Sequence, residues 1–376
     1  MKTLLLIVAL LPAGHAARFS RSEELSTDQR IAAAQKSLAA GPGEPSALNT
    51  LASAYLQKMR ETTDFSYVDR AAKLVAQALA KRPADLESNI LLNEIELNRH
   101  HFSKVVENTT RLVKTSPEDA RLWAMMGDSL MEIGDYDRAA DAYEHMLRLR
   151  PGLSSYNRVS WYRFVTGDAE GAIYAMRQAV HAAKATPENL AWCLVDLGHL
   201  YWKTGRLEEA EASYNAALRT FPRYHPAFAG LGRVHAARKH TGEAIEAYSR
   251  AEAIVPLPEY AGALRDLYLE QGKKAEARKQ EQLLDVVDQL ARANFENTDR
   301  TLAIVLADQG RHLDRALELA TNELAFRRDV YTYDALAWVL YQSKRYPEAR
   351  EAMQKALRYK TPDPQFHRHA ALILEP

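Results

Sequence analysis

The sequence predicts an all-α fold made of one small helical unit repeated along the chain. Three observations carry that expectation. Prolines recur at Pro83, Pro117, Pro151, Pro187, Pro222 and Pro256, spaced by 34, 34, 36, 35 and 34 residues. Within those intervals the same residue types return in the same order. Strand patterns, in which apolar and polar residues alternate, are hard to find anywhere. A chain of 376 residues would ordinarily suggest two or three globular domains. A fixed period belongs instead to an elongated array in which each unit packs on its neighbours.

The N-terminal segment has a different character. Lys2 gives a short positive start, and Thr3 to Leu11 is an apolar run with no polar face. Pro12-Ala13-Gly14-His15-Ala16 then supplies a helix breaker and small residues before a cut after Ala16. Residues 1–16 read as a secretory signal peptide, and the apolar run falls well short of the roughly 20 residues that span a bilayer. The chain is therefore expected to be exported and soluble, periplasmic or extracellular. Asn108-Thr109-Thr110 is a glycosylation sequon that has meaning only in a eukaryotic secretory route. Ser26-Thr27-Asp28-Gln29 reads as a capping box opening a short helix that ends near Gly41. Residues 17–44 thus form an N-terminal segment with a capping helix.

One interval holds Leu194, Leu197, Gly198, Tyr201, Gly205, Ala210, Tyr214, Ala217 and Pro222. An earlier one offers Trp123, Met126, Gly127, Leu130, Gly134, Ala139, Tyr143 and Pro151, and the next Phe228, Leu231, Gly232, Ala244, Tyr248, Ala251 and Pro256. Glycine and alanine let two antiparallel helices approach, while the tyrosines fill the space between neighbouring pairs. Proline cannot continue the outgoing helix and suits the first turn of the incoming one. Ser116-Pro117-Glu118-Asp119 and Thr186-Pro187-Glu188-Asn189 add a capping hydroxyl and an acid at the helix start.

In these residues and their spacing the chain resembles the tetratricopeptide repeat (TPR) family over nearly all of its mature length. The resemblance implies a right-handed superhelical solenoid of about nine helix-turn-helix repeats with short capping helices. Repeats one to seven are placed over 45–293, repeats eight and nine over 294–362, and a C-terminal capping helix over 363–376. In the first repeat about seven extra residues, around Arg60–Tyr67, are expected to lengthen the inter-helix loop. The second repeat has Asn93, and the fourth Ser160, where glycine is usual.

Composition removes several function classes. The chain has 49 Lys+Arg against 49 Asp+Glu, so it lacks the basic excess that drives wholesale nucleic-acid binding. Its one cysteine, Cys193, excludes an internal disulfide framework and a cysteine-based metal cage; on a first helix it reads as a small buried filler. HExxH, glycine-rich phosphate loops, GxSxG and haem-attachment motifs are all missing. His100-His101 falls at a turn, and His367-Arg368-His369 has no carboxylate spaced to complete a ligand set. No catalytic residue, metal or cofactor is expected.

The resemblance implies that function lies on the inner, concave face built by the first helix of each pair. Its positions present Asn157, Trp161, Phe164 and Val165 in the fourth repeat, and Trp192, Val195, His199, Trp202 and Lys203 in the fifth. Three of the five tryptophans thus fall on one inner stretch, either as a binding surface or as rings packed by a tightly curled superhelix. A second aromatic set, Tyr331, Asp334, Trp338 and Tyr341, lies in the ninth repeat as a further contact or a cap. The lysine/asparagine/arginine clamp for acidic peptide tails finds Asn157 and Arg158 but no matching partners on the flanking repeats.

From Ala212 to Gly242 there is no acid, while Arg219, Arg223, Arg233, Arg238 and Lys239 stand there with His225, His235 and His240. The window is either a solvated face balanced by neighbouring acids or a landing patch for an acidic partner, strengthened at mildly acidic pH by its histidines. The expected function is an exported scaffold or adaptor holding another protein or an extended peptide along repeats four to six, in envelope assembly or secretion. A small-molecule, glycan or lipid receptor, and a non-catalytic subunit of an envelope enzyme complex, are the alternatives.

Overall fold

The computed structural model describes residues 25–41, 43–62, 64–183, 187–293 and 299–375. The signal peptide read at 1–16 and the capping hydroxyl of Thr186 lie outside the described residues. Among the described residues there are helices and no strand. After α1 (Thr27–Ala40) the helices follow in pairs: α2 (Pro45–Thr62) with α3 (Ser66–Lys81), α4 (Leu86–Asn98) with α5 (Phe102–Leu112), and α6 (Ala120–Glu132) with α7 (Tyr136–Leu149). Next come α8 (Leu153–Val165) with α9 (Ala169–Ala182), α10 (Pro187–Lys203) with α11 (Leu207–Thr220), and α12 (His225–Ala237) with α13 (Thr241–Glu252). The last pairs are α14 (Pro258–Glu270) with α15 (Lys274–Ala293), α16 (Arg300–Asp308) with α17 (Leu313–Glu323), and α18 (Val330–Gln342) with α19 (Tyr346–Ala356). Then α20 (Pro364–Leu374) follows.

The chain divides into two compact units, one of Met1–Leu130 and Asp137–Leu149, the other of Met131–Tyr136 and Arg150–Pro376. In the first unit Ser26 and Gln29 make both reciprocal capping-box bonds at the start of α1. Its core runs through Ala52, Leu56, Val75 and Ile95. Neighbouring pairs are tied by polar bridges such as Asn49 Nδ2 to Asp85 Oδ2 at 3.0 Å and Arg121 Nη1 to Glu87 Oε2 at 2.9 Å. The expected loop at Arg60–Tyr67 is corrected: Arg60 to Thr62 complete an 18-residue α2, and Ser66 and Tyr67 already belong to α3. Met59 and Val68 are both buried on this lengthened hairpin, so the extra residues extend packed helix. Asn93 is fully buried, and neither atom of its amide end finds a hydrogen-bond partner.

In the second unit the repeat chemistry centres on Tyr214, fully buried in a core with Ala210, Ala217 and Val234. A Cβ on Gly198 would stand 2.6 Å from its ring, and one on Gly230 2.4 Å from it. Those glycines are required for the close approach of α10 and α12 to the same aromatic ring. The C-terminal repeats of this unit return to its beginning. Thr361 Oγ1 donates to the Val165 carbonyl at 2.6 Å, and the Arg328 amide donates to the Glu132 carbonyl at 2.8 Å. The Val330 amide donates to Tyr136 Oη at 3.0 Å, and Arg358 Nη2 to the Gly134 carbonyl at 2.8 Å. The second unit therefore closes on itself, and its inner face meets its own last repeats.

Candidate functional site

That closure gathers residues that the sequence places in two separate sets. Trp161 on α8 stacks on Tyr331 of α18, ring centroids 5.4 Å apart. Lys203, the last residue of α10, reaches both: its Nζ lies 5.9 Å from the Trp161 centroid and 5.2 Å from that of Tyr331. The same Nζ pairs with Asp363 at 2.8 Å, and Tyr331 Oη donates to Asp363 Oδ2 at 3.0 Å. Asp363 is also the N-cap of α20, accepting from the Gln365 amide at 3.0 Å. Burial pushes its carboxyl up, but Lys203 and these donors hold it below its ordinary value. Trp161 remains 41% exposed beside this buried ion pair.

Further along the inner face, Arg233 of α12 places its guanidinium 6.0 Å from the Trp202 ring of α10. Both line a cavity of about 480 Å³ whose other walls include Tyr248, Glu259, Arg300, Gln309, Tyr331 and Gln365. Most charges around it are already matched. Arg300 pairs with Asp329 at 3.0 Å, Asp266 with Arg265 at 2.8 Å, and Asp308 accepts from Trp338 Nε1 at 2.9 Å. Arg233 has no carboxylate at ion-pairing distance among the described residues. Burial works against its charge, yet the surrounding tyrosines and Glu259 outweigh it and hold the group protonated. Burial raises the Glu259 carboxyl above its ordinary range, with its own backbone amide and Arg233 opposing.

The remaining inner-face residues have other occupations. Phe164 is fully buried in the core with Ala172 and Ile173, so of the two readings of the inner-face residues it takes the packed one, and its place on a binding surface is corrected. The curl of the fourth repeat turns that position inward, over Lys203 at 5.0 Å. Trp192 is half-buried against the same core, and Asn157 Oδ1 is buried without a partner. His199 Nδ1 lies 2.7 Å from Tyr214 Oη, and burial, with Arg233 and Lys203 nearby, keeps its ring neutral. Close to it, burial pushes the Asp196 carboxyl up to about 7. Trp338 is 5% exposed, stacked on His369 at 4.3 Å and on Tyr341 at 5.6 Å, and Asp334 is buried against His369 Nδ1 at 2.9 Å. Of that second set only Tyr331 joins the inner aromatic cluster.

In the basic window Arg219, Arg223 and Lys239 are exposed, whereas Arg238 bridges to Glu208 and Glu211 of the preceding helix. His225 accepts or donates to Tyr260 Oη at 2.9 Å, and burial lowers its pKa, so it resists the mild-acid protonation expected of it. Cys193 is buried and its thiol is pushed up to about 12, the setting of a filler rather than a nucleophile. Among the described residues no group of His, Cys, Asp and Glu could hold a metal ion, and no helix is long and apolar enough to cross a membrane. Sequence reasoning missed Asp363, Glu259 and Arg300. Asp363 stands before Pro364 and signals a helix start, but nothing local signals Lys203 opposite it.

Comparison with known proteins places these helices in a wider set. Models of the tetratricopeptide repeat match residues 195–257 and residues 120–153 and 330–361. Protein FlbA of Caulobacter vibrioides is 30% identical over 161 residues, 41% of this chain and 26% of that protein. Anaphase-promoting complex subunit 7 of Arabidopsis thaliana is 28% identical over 128 residues, 34% of this chain and 22% of that one. The chain thus spans about a quarter of the length of the curated relatives it matches. Among solved structures, PilW, a type IV pilus biogenesis factor, is similar at 17% identity with a TM-score of 0.47, over 58% of this chain and 96% of that one.

Proposed function

Because the chain belongs to the tetratricopeptide repeat family, we propose that it is an exported adaptor capturing a segment of another protein on the inner face of its second unit. It acts in assembly or secretion at the cell envelope. The observation that carries this reading is Trp161, a large ring left 41% exposed beside Lys203 on the inner face. Such partly exposed aromatics next to a cation are the usual anchors of protein interfaces. The segment is short, because Tyr331 and Asp363 of the last repeats bound the face at Trp161 and Lys203. Trp202 and Arg233 extend it, and the exposed Arg219, Arg223 and Lys239 favour an acidic partner. The apolar start at residues 1–16 supports export. The test is capture from an exported-protein extract with the purified chain as bait. Trp161→Ala should lose the captured protein, while Trp123→Ala in the first unit should keep it. Equal capture by both variants would move the site elsewhere.

A further inference from the structure

The cavity on the inner face of the second unit shares Trp202 and Arg233 with the proposed capture surface but adds Glu259 and Gln309, which capture of a protein segment does not use. Its volume, about 480 Å³, falls within the range of small-molecule sites, roughly 300–1,000 Å³, and is too small for a folded partner. Sorting its charged walls by partner leaves two groups over. Arg300, Asp266 and Asp308 are each engaged by Asp329, Arg265 and Trp338. Arg233 and Glu259 face the same space as one cation and one anion that make no ion pair with each other or with any described residue. A neutral polar group adds to them: Gln309 lines the cavity, and its Nε2 is buried without an acceptor. Unpaired donors and acceptors in a buried wall are costly unless something fills them. Trp202 and Tyr248 give the cavity flat aromatic walls, the first already beneath the Arg233 guanidinium.

We infer that this cavity binds a small zwitterion of the α-amino-acid class, its carboxylate on Arg233 and Gln309 Nε2, its ammonium on Glu259, and its side chain against Trp202. One ligand of that class answers both unpaired charges and Gln309 Nε2 at once. A simple anion leaves Glu259 unanswered, and a simple cation leaves Arg233 unanswered. An ammonium beside Glu259 also opposes the burial that raises its carboxyl above the ordinary range. Walls contributed by Trp202 and Arg233 on one side and by Tyr331 and Gln365 of the last repeats on the other mean that the ligand fits only the closed unit. Binding therefore stabilises closure.

The test is isothermal titration calorimetry of the full purified chain with each common α-amino acid in turn. The best binder is then compared with its N-acetyl derivative and with the amine lacking its carboxylate. Saturable binding is expected for at least one free amino acid, with both analogues about tenfold weaker or worse. Arg233→Gln and Glu259→Gln should each weaken it by about tenfold or more, given the usual strength of bonds to charged groups. Ala263→Leu, which fills the space without touching a charge, should abolish it, and the exposed Lys344→Gln should leave it intact. Circular dichroism establishes that each variant is folded before it is titrated. Failure of every amino acid to bind, equal binding of either analogue, or unchanged affinity in folded Arg233→Gln and Glu259→Gln would overturn the inference. Glu259→Gln is expected to keep protein capture and Trp161→Ala to keep ligand binding, so the two readings fail separately.

Discussion

The two units are built from the same repeat yet held together over different distances. In the first, polar bridges between neighbouring pairs join residues 30 to 39 positions apart, from Arg99–Asp69 to Ser88–Asn49. In the second, comparable bridges recur, but others join residues 128 to 224 positions apart, from Lys203–Tyr331 to Arg358–Gly134. The short spans are the repeat period itself, so each first-unit pair is stabilised by what stands beside it. The long spans make the second unit's inner face depend on residues at its far end. A binding surface therefore cannot be read from one repeat at a time. Trp161, Lys203 and Tyr331 become a site only where the array closes.

Removing Tyr331 should break this difference most strongly. Tyr331→Ala deletes the stack on Trp161, the edge contact with Phe366 at 4.9 Å and the bonds to Lys203 and Asp363, a loss of about 3 kcal/mol. Amide hydrogen exchange should accelerate across α18 and α20 of the second unit and leave α2 and α3 of the first unchanged. A pH effect ranks next. The Asp196 carboxyl is raised from 3.8 to about 7 in the folded unit, so its neutral form favours folding. That contribution is complete below the unfolded pKa and is lost as pH climbs from about 4 to about 7. Asp196→Asn should thus stabilise the second unit above neutral pH and gain nothing near pH 4. We expect a gain of about 2 kcal/mol, less than the full shift because the asparagine amide is itself costly to bury, measured by urea denaturation at both pH values.

Thr361→Val removes the donor to the Val165 carbonyl while keeping the side-chain shape. It should cost the second unit about 1–2 kcal/mol by leaving a buried acceptor unmatched. The smallest effect is expected in the first unit and has the opposite sign. Asn93 buries an amide with no partner, so Asn93→Ala should stabilise α4 by about 1 kcal/mol or less, relief of the polar burial being offset by the space left behind. Thermal unfolding of the two variants checks both signs.

The same contrast of distances explains what the sequence discloses. The helix pairs, the caps and the tyrosine–glycine contacts at Gly198 and Tyr214 are legible because each partner stands within one period and each residue type has one local job. The extra residues of the first repeat read as a loop in the sequence because length alone does not separate extra loop from extra helix, and burial of Met59 and Val68 decides for helix. Phe164 and Trp161 share an inner face in the repeat pattern, yet one is buried and the other open, since the curl of the unit sets that choice. Asp363 is visible in the sequence as a helix cap before Pro364. Its bond to Lys203 is not, because no periodic signal links the fifth repeat to the last helix.

The claim that the second unit closes on its own inner face is tested most directly by a double-mutant cycle on Lys203 and Asp363. Lys203→Met and Asp363→Asn are measured singly and together by urea denaturation, with hydrogen exchange of α10 and α20 recorded alongside. A buried pair at 2.8 Å should show a coupling energy of about 1 kcal/mol or more, the double variant costing less than the sum of the singles. Additivity within about 0.3 kcal/mol, with α10 exchange insensitive to Asp363→Asn, would show that the two residues do not meet and that the inner face stands open.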